Sequence, residues 1–317
     1  MILYCYCKVK YRARSPIVLP LAELKVPQKH VYLFKSHLKI CVVFARRFWY
    51  NSRHKVFYCK THTEPAKHSL NMQEPDISIL LLTWNRAPML EICLKAMFEA
   101  LTPDLNQEII LMDNGSTDET PDILAQYKDI PNVTIVRNAS NLGIAGYKKL
   151  FSMAKGRIMI EVDDDVIEFP QKFDTTLRDY LDAFQDYGYI ALNVVQNDLT
   201  TGAKPDQSCY SDDKRGDKII EEGPTGGWCA AFRRKHYRIF KPLINILNMS
   251  MARSEDGILM ACMQKILRKR LGLVKNAVCL HAVGPKYARR FGLIQREKEK
   301  YKIGGLPEMS NEYNTSM

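Results

Sequence analysis

The chain has no CxxC pair, no uninterrupted apolar run of membrane length and no glycine-rich phosphate loop. Each absence removes a class of function. The nine cysteines are odd in number and scattered, with only Cys5 and Cys7 close together. Neither a zinc module nor a disulfide framework is indicated, and reduced cysteines in a cytoplasmic setting are expected. The most apolar N-terminal stretch, VYLFKSHLKICVVFARRFWY at 31–50, is interrupted by Lys35, Lys39, Arg46 and Arg47. An ordinary membrane span needs about 20 mostly uncharged residues. The first residues, MILYCYCKVKYRARSP, lack the basic start and long apolar run of a secretory leader. Neither GxGxxG nor GxxxxGK[ST] occurs, which argues against dinucleotide and P-loop chemistry. No internal repeat is visible.

What is present is a chain of 317 residues, 46% hydrophobic and 26% charged, long enough for one large or two modest domains. The formal charge of +11 is unevenly placed. Residues 1–74 hold 14 Lys and Arg against three acids, Glu23, Glu64 and Glu74, while the rest carries 32 of each sign. The basic character therefore belongs to the N-terminal segment alone. That segment also contains five of the seven histidines and shows no sustained periodicity. Three parts are expected: a basic segment at 1–74, a main domain at 75–294, and a polar, frayed tail at 295–317. The change of composition beside Met72 suggests that residues 1–71 do not belong to the functional protein.

From residue 75 the pattern sharpens. DISILLLTW (76–84) reads as a strand buried on both faces, and the following segment repeats Leu90, Leu94, Met97, Phe98 and Leu101 at helical spacing behind Pro88. EIILM (108–112) is a second strand. A helix after DNGSTDET is expected to start with a capping box of Ser116 and Glu119. VTIVR (133–137), GIAGYKKLFSMA (143–154) and RIMIEV (157–162) continue as strand, helix and strand. A helix at about 171–187, a strand at 189–196 and a polar loop at 197–222 follow. This alternation predicts an α/β fold, a mostly parallel sheet with helices on both faces, whose ligands bind beyond the carboxyl ends of the strands.

The unusual polar tripeptides fall at those ends. In IMIEVDDDVIEFP three adjacent aspartates, Asp163, Asp164 and Asp165, close a buried strand. Like charges so close raise one another's pKa, and a cation is the expected answer. Hard oxygen ligands suit Mg²⁺ or Mn²⁺. Alternation along an extended backbone turns Asp163 and Asp165 to one side and Asp164 to the other, although aspartates also cap turns. Asn, Gly, Ser and Asp in LMDNGSTDET equally suit a plain strand-to-helix turn or a nucleotide contact. Glu255 and Asp256 in SEDG sit at a helix N-terminus, which favours carboxylates whatever their role.

SILLLTWNR, ILMDNGSTDET, NLGIAGYKK, IMIEVDDDV, TGGWCAAFRR and SEDG occur in the order and rough spacing of family 2 glycosyltransferases, and the stretch 76–290 resembles them. The resemblance implies the GT-A fold and an inverting, metal-dependent enzyme. Its expected function is to move a sugar from a nucleotide-sugar, most often a UDP-sugar, to a saccharide, glycolipid or protein acceptor, as in cell-envelope polysaccharide synthesis. By position, Thr83 and Asn85 resemble the first nucleotide-contacting loop and Asp113 the base-binding aspartate, with Asp118 in the same loop. Asp163 and Asp165 resemble the DxD metal pair, joined by His281 as a further ligand, with Asp164 on the donor side. Asp256 resembles the catalytic base, and Glu255 its neighbour at the acceptor. Gly226 and Gly227 would admit the sugar, and Trp228 would offer it an apolar face. Arg289 and Arg290 could steady the diphosphate.

The QxxRW motif of processive members is missing, since QKILRKR has no tryptophan. Transfer of one sugar per encounter is therefore expected. A competing reading makes the protein a non-catalytic sugar-nucleotide binder held to a membrane surface or nucleic acid by its basic segment. No RNA-binding sheet motif is found. Nucleotidyl transfer is disfavoured because no glycine-rich basic loop follows the first strand. A cytoplasmic location, peripheral at the membrane face, is expected.

Overall fold

The computed structural model describes residues 31–33, 42–44 and 74–314 of a chain that divides into two units, Met1–Met72 and Gln73–Met317. In the first unit β1 (Val31–Leu33) pairs antiparallel with β2 (Val42–Phe44). The expectations for the basic segment, including its membrane contact and its place in the functional protein, otherwise lie outside the described residues.

The second unit begins with the predicted alternation: β3 (Ile77–Thr83), α1 (Ala87–Ala100), β4 (Gln107–Asp113), α2 (Thr120–Ala125), β5 (Val133–Arg137), α3 (Gly146–Met153) and β6 (Ile158–Asp163). It continues with β7 (Val166–Glu168), α4 (Phe173–Ala183), β8 (Tyr187–Val194), β9 (Ser211–Arg215), β10 (Lys218–Glu222) and β11 (Cys229–Arg233). The last elements are α5 (Arg234–Ile246), α6 (Glu255–Lys265), β12 (Arg270–His281), α7 (Pro285–Arg290) and α8 (Ile294–Ile303). The strand order is β5-β4-β3-β6-β11-β8-β12-β10-β9, with β7 attached to β12.

The register explains where a site can form. Strands β3, β4, β5 and β6 are parallel, and Thr83 stands level with Asp113 while Leu82 stands level with Asp163. Strands β3, β4 and β6 thus end close together, at the carboxyl edge where ligands of such sheets bind. Strand β11 runs antiparallel between β6 and β8. Ile79, Leu81, Ile110, Met112, Ile160 and Val162 fill the sheet interior, and the near-continuous apolar runs reflect burial on both faces.

Several elements differ from expectation. The stretch 197–222 is not simply a loop: it contains the hairpin β9-β10, which adds two antiparallel strands to the sheet beyond β12. Its strands are rich in charge because they lie at the sheet's margin, where Arg215 and Arg270 meet Asp186, Asp213 and Glu222. The capping box of Ser116 and Glu119 does not form. The Ser116 hydroxyl instead accepts the backbone N–H of Asn85 at 2.9 Å, and Glu119 flanks α2 without a side-chain cap.

The C-terminal tail is not frayed through residue 314. Helix α8 and a 3₁₀ segment, Pro307–Tyr313, pack with Met89, Ala282, Tyr287 and Leu293 in a second apolar cluster. Its polar composition conceals the anchors, which are single residues such as Tyr313 and the buried Glu297. Among the described residues no helix is long and apolar enough to cross a membrane, and all five described cysteines are unpaired.

Candidate active site

The crevice is built by loops tied to one another. Asn85, at the end of β3, takes a left-handed backbone (φ 47°), and its Oδ1 accepts the N–H of Thr117 at 2.7 Å. Asp118 accepts the N–H groups of Ala87 and Thr120, so it caps the start of α1 as well as its own turn. Asp113 is buried; its Oδ1 accepts the Ser116 N–H at 2.8 Å and its Oδ2 lies 3.1 Å from Nε of Arg137. Asn114 uses all of its amide, donating to Asn141 and Gly143 and accepting from Asn138 and Leu142. Gly115 (φ +78°) has no room for a side chain, since a Cβ would fall 2.6 Å from the backbone of Ser140. The DNGSTD turn is therefore held against the NLG loop.

The aspartate triplet divides at the turn between β6 and β7: Asp163 is the last residue of β6, and Asp164 and Asp165 form the turn itself. Asp164 turns into the protein, where it accepts the Thr83 hydroxyl at 2.7 Å and an Arg86 Nη1–H at 2.5 Å. Asp163 and Asp165 approach His281 at the end of β12, while Asp165 also shares Arg86 Nη1 with Asp164. The imidazole Nε2 is 3.2 Å from Asp165 Oδ1 and 3.9 Å from Asp163 Oδ2. His281 reaches this point because β12 leaves β8 after a register shift and pairs with β7, placing His281 opposite Val166. Its Nδ1 lies 2.9 Å from the Gly202 carbonyl, a contact that makes Nδ1 the donor and leaves Nε2 for the carboxylates or an ion.

These three residues fit a divalent cation. One ligand atom from each lies within 4.8 Å of the others. Asp165 Oδ1 is buried without a well-aligned hydrogen bond, whereas Oδ2 lies 2.8 Å from Arg86 Nη1. Two carboxylates and an imidazole suit Mn²⁺, and also Mg²⁺ through their oxygens. The electrostatics agree. Burial, then the charge of Asp165, raises Asp163 to about 6, while Arg86 and His281 overcome burial to hold Asp165 well below the usual carboxylate range. Burial alone would lower the His281 pKa, but Asp165 and Asp163 raise it.

Asp256 lies in the first turn of α6. Its Oδ2 accepts the Gly227 N–H at 3.2 Å, and its Oδ1 accepts the Ser254 hydroxyl and the Gly257 N–H. Its charge contributes to the raised pKa of Asp163, so the two carboxylates share one electrostatic neighbourhood. Gly227 is confined between acids: a Cβ there would meet Glu161 Oε1 at 3.1 Å and Asp256 Cβ at 3.3 Å.

Several residues expected at the ligands have other surroundings. Asp164 and Thr83 are buried and satisfy each other, so neither side chain is free for a donor. Trp228 is 4% exposed, with Nε1–H donated to the Leu192 carbonyl and its ring centroid 5.8 Å from that of His281. It supports His281 rather than presenting a face to a sugar. Glu255 is also buried, its carboxyl pushed well up by burial and by Asp256, and its Oε2 has no hydrogen-bond partner among the described residues. Gly226 lies against the Trp228 ring, where a Cβ would be 2.7 Å away. Arg289 and Arg290 are exposed at the end of α7.

Residues that the sequence reading passed over complete the site. Tyr147 donates its hydroxyl to Asp163 Oδ1 at 3.3 Å. Glu161, a lone charge inside an apolar strand, accepts the Tyr189 hydroxyl and is pushed well up by burial and then by Glu255. Its signal was that misplaced charge in IMIEV. Arg86 stood within TWNR, but nothing in the sequence pointed to its partners.

Residues 78–240 match glycosyl transferase family 2, and the chain belongs to that family. It is 34% identical over 92 residues to the poly(ribitol-phosphate) beta-glucosyltransferase of Bacillus spizizenii, a match covering 28% of this chain and 14% of that relative. The chain thus corresponds to a small part of the relative's length. The fold is shared with the mannosyltransferase PcManGT from Pyrobaculum calidifontis in complex with GDP-Man and Mn²⁺ (TM-score 0.51, 18% identity, 73% of this chain and 64% of that one). It is also shared with TarS 1–349 from S. aureus in complex with UDP (TM-score 0.50, 14% identity, 76% and 72%). The α/β core, a mixed sheet whose β3, β4, β5 and β6 are parallel, is that of the GT-A structures.

Proposed function

We propose that this chain transfers a single sugar from a nucleotide-sugar to a hydroxyl of a saccharide-type acceptor, with inversion at the anomeric carbon. The observation that carries the reading is the convergence of Asp163, Asp165 and His281 at the rim of the sheet, in the electrostatic neighbourhood of the Asp256 carboxylate.

Inversion requires one in-line displacement. The acceptor oxygen forms a bond to C1 as the bond from C1 to the diphosphate oxygen breaks, and the electron pair leaves with the nucleoside diphosphate. Asp256 takes the acceptor proton, acting as general base. The Gly227 N–H and Ser254 hydroxyl bound to its oxygens fix the carboxylate's direction. Asp163, Asp165 and His281 would hold Mn²⁺ or Mg²⁺, which when bound offsets negative charge on the departing diphosphate. Asn85 and Asp113 shape the loops in which the nucleoside would sit, with UDP and GDP both compatible with what the structural relatives hold.

A cavity of ≈ 790 Å³ runs beside α6, lined by Thr225 and Gly257 next to Asp256 and by Lys265, Arg268 and Lys269 toward the helix's other end. We assign it to the acceptor. Its basic lining favours an acceptor bearing phosphate or carboxylate groups, and the name of the Bacillus spizizenii relative points to a phosphate-bearing polymer. The missing QxxRW motif supports single additions. The binding-only alternative rests on residues 1–74, most of which lie outside the described residues.

The test is transfer from a panel of UDP- and GDP-sugars with and without Mn²⁺, with the product's anomeric configuration read by NMR. Asp256→Asn should abolish transfer while donor binding, followed by calorimetry, persists. Full turnover in that variant would remove the base, and a product that retains the donor's configuration would remove the single-displacement mechanism.

A further inference from the structure

Arg86 is a buried cation that meets three buried carboxylates. Its Nη1 lies 2.5 Å from Asp164 Oδ1 and 2.8 Å from Asp165 Oδ2, and its Nη2 lies 2.5 Å from Glu297 Oε1. Arg86, Asp164, Asp165 and Glu297 are all at most 6% exposed. Glu297 belongs to α8, outside the span 78–240 that matches the family. Arg296 and Lys300 from the same helix also bind it, at 2.6 and 2.8 Å. The neighbouring Arg296 donates from Nε and Nη2 to the Trp84 carbonyl, at 3.0 and 2.9 Å. Consecutive residues of α8 therefore grip two residues of the loop after β3. So elaborate an arrangement is unnecessary for packing, because a buried ion network is at best weakly stabilising compared with apolar residues of the same volume.

We propose that Glu297 is a positioning residue for Asp165, acting through Arg86, and that α8 is thereby an integral part of the cation site. A guanidinium presents a planar fork suited to bidentate capture of one carboxylate. With Nη2 committed to Glu297, only Nη1 reaches the aspartates, and it touches Asp165 on Oδ2 alone. Oδ1 remains directed at His281 and Asp163. Without the Glu297 carboxylate the fork is free to turn onto both Asp165 oxygens, and Arg86 then competes with the incoming cation for Oδ1. Loss of one negative charge acts in the same direction. Both effects weaken cation binding and neither touches Asp256 or the acceptor cavity.

This inference rests on the proposed role of Asp163, Asp165 and His281 in holding a divalent ion, and the experiment separates the two. MnCl₂ is titrated by calorimetry into the full chain, alone and saturated with UDP or GDP, for the wild type, Glu297→Gln and Leu293→Ala. Leu293 is buried in the α8 cluster and meets Glu297 only through its backbone carbonyl, which accepts the Glu297 N–H, so truncating its apolar side chain loosens the packing without removing a charge. The expected result is Mn²⁺ affinity reduced about 10- to 100-fold in Glu297→Gln, the range for outer-shell partners of metal ligands, and unchanged in Leu293→Ala. Equal affinity in wild type and Glu297→Gln overturns the positioning role while leaving the ion site standing. Equal losses in Glu297→Gln and Leu293→Ala overturn it too, because the effect is then one of packing. Absence of Mn²⁺ binding in the wild type overturns the ion site itself, and this inference with it. Should Glu297→Gln not fold, Glu297→Asp withdraws the carboxylate from Arg86 by about one methylene while keeping its charge, and is held to the same comparison.

Discussion

Nε2 of His281 stands 3.2 Å from Oδ1 of Asp165, although more than a hundred positions separate the two residues in the chain. The contact exists because β7, the short strand directly after the triplet, pairs with the last residues of β12. Replacing His281 with Ala should leave the sheet intact and weaken Mn²⁺ binding by about tenfold or more, since even outer-shell changes reach that size. A manganese titration followed by electron paramagnetic resonance checks it; affinity equal to wild type would remove His281 from the ligand set.

Asp164 behaves differently from its neighbours. Its carboxylate is enclosed by Thr83 and Arg86, so Asp164→Ala leaves a buried guanidinium short of a partner. Breaking such a pair from one side costs about 3 kcal/mol or more. Chemical denaturation should show a large loss of stability in Asp164→Ala, in contrast to a small one in Asp163→Ala, whose side chain is a third exposed. Equal losses would contradict the division of the triplet.

Gly227→Ala tests the approach of β11 to the two acids. The new methyl would meet Glu161 Oε1 and Asp256 Cβ at 3.1 and 3.3 Å, tighter than ordinary contact. Asp256 must then move, and its hydrogen bond from the Gly227 N–H lengthens. A fall in kcat of about 100-fold with little change in donor KM is expected, as for a small misplacement of a reacting group. A change confined to donor KM would show that Gly227 serves the donor instead.

Lys265 lines the acceptor cavity and is exposed. Lys265→Glu should raise the KM for an anionic acceptor several-fold at low salt, with the difference shrinking as ionic strength rises. Steady-state kinetics at two salt concentrations decide the matter. A KM independent of both would move the acceptor elsewhere.

The sequence carried the fold as far as β6 because buried parallel strands and amphipathic helices leave strong periodic signals in Ile79, Leu81, Leu90 and Leu94. Asp163 and Asp165 are conspicuous in the sequence as charge at the end of an apolar run, whereas Asp256 is singled out only by the resemblance of SEDG. The remainder was not, for physical reasons. Strands β9 and β10 are charged because they lie at the edge of the sheet, so they resemble a loop. Trp228 is expected at a sugar on residue type alone, whereas packing sets its ring beside His281. Glu297 sits in a helix whose composition is that of a solvated tail, and its burial is created by Arg86, more than two hundred positions earlier. Long-range charge pairing leaves no periodicity.

His236 supplies a pH-dependent test of the fold away from the cation site. It is buried in α5 with Nδ1 unpaired, and burial followed by the charges of Arg233, Lys269 and Lys235 lowers its pKa to about 4. In the unfolded chain the imidazole has its ordinary pKa of about 6.5. Between these values the unfolded state binds more protons than the folded one, so stability falls as pH falls. The contribution is complete above about pH 6.5 and is lost progressively down through pH 4, amounting to no more than about 3 kcal/mol for a shift of this size. Urea denaturation at pH 7 and pH 5 should show a steeper loss for the wild type than for His236→Leu, which has no proton to bind. Identical pH dependence in the two proteins would mean that His236 titrates normally, and so that solvent reaches the face of α5 that packs toward β11.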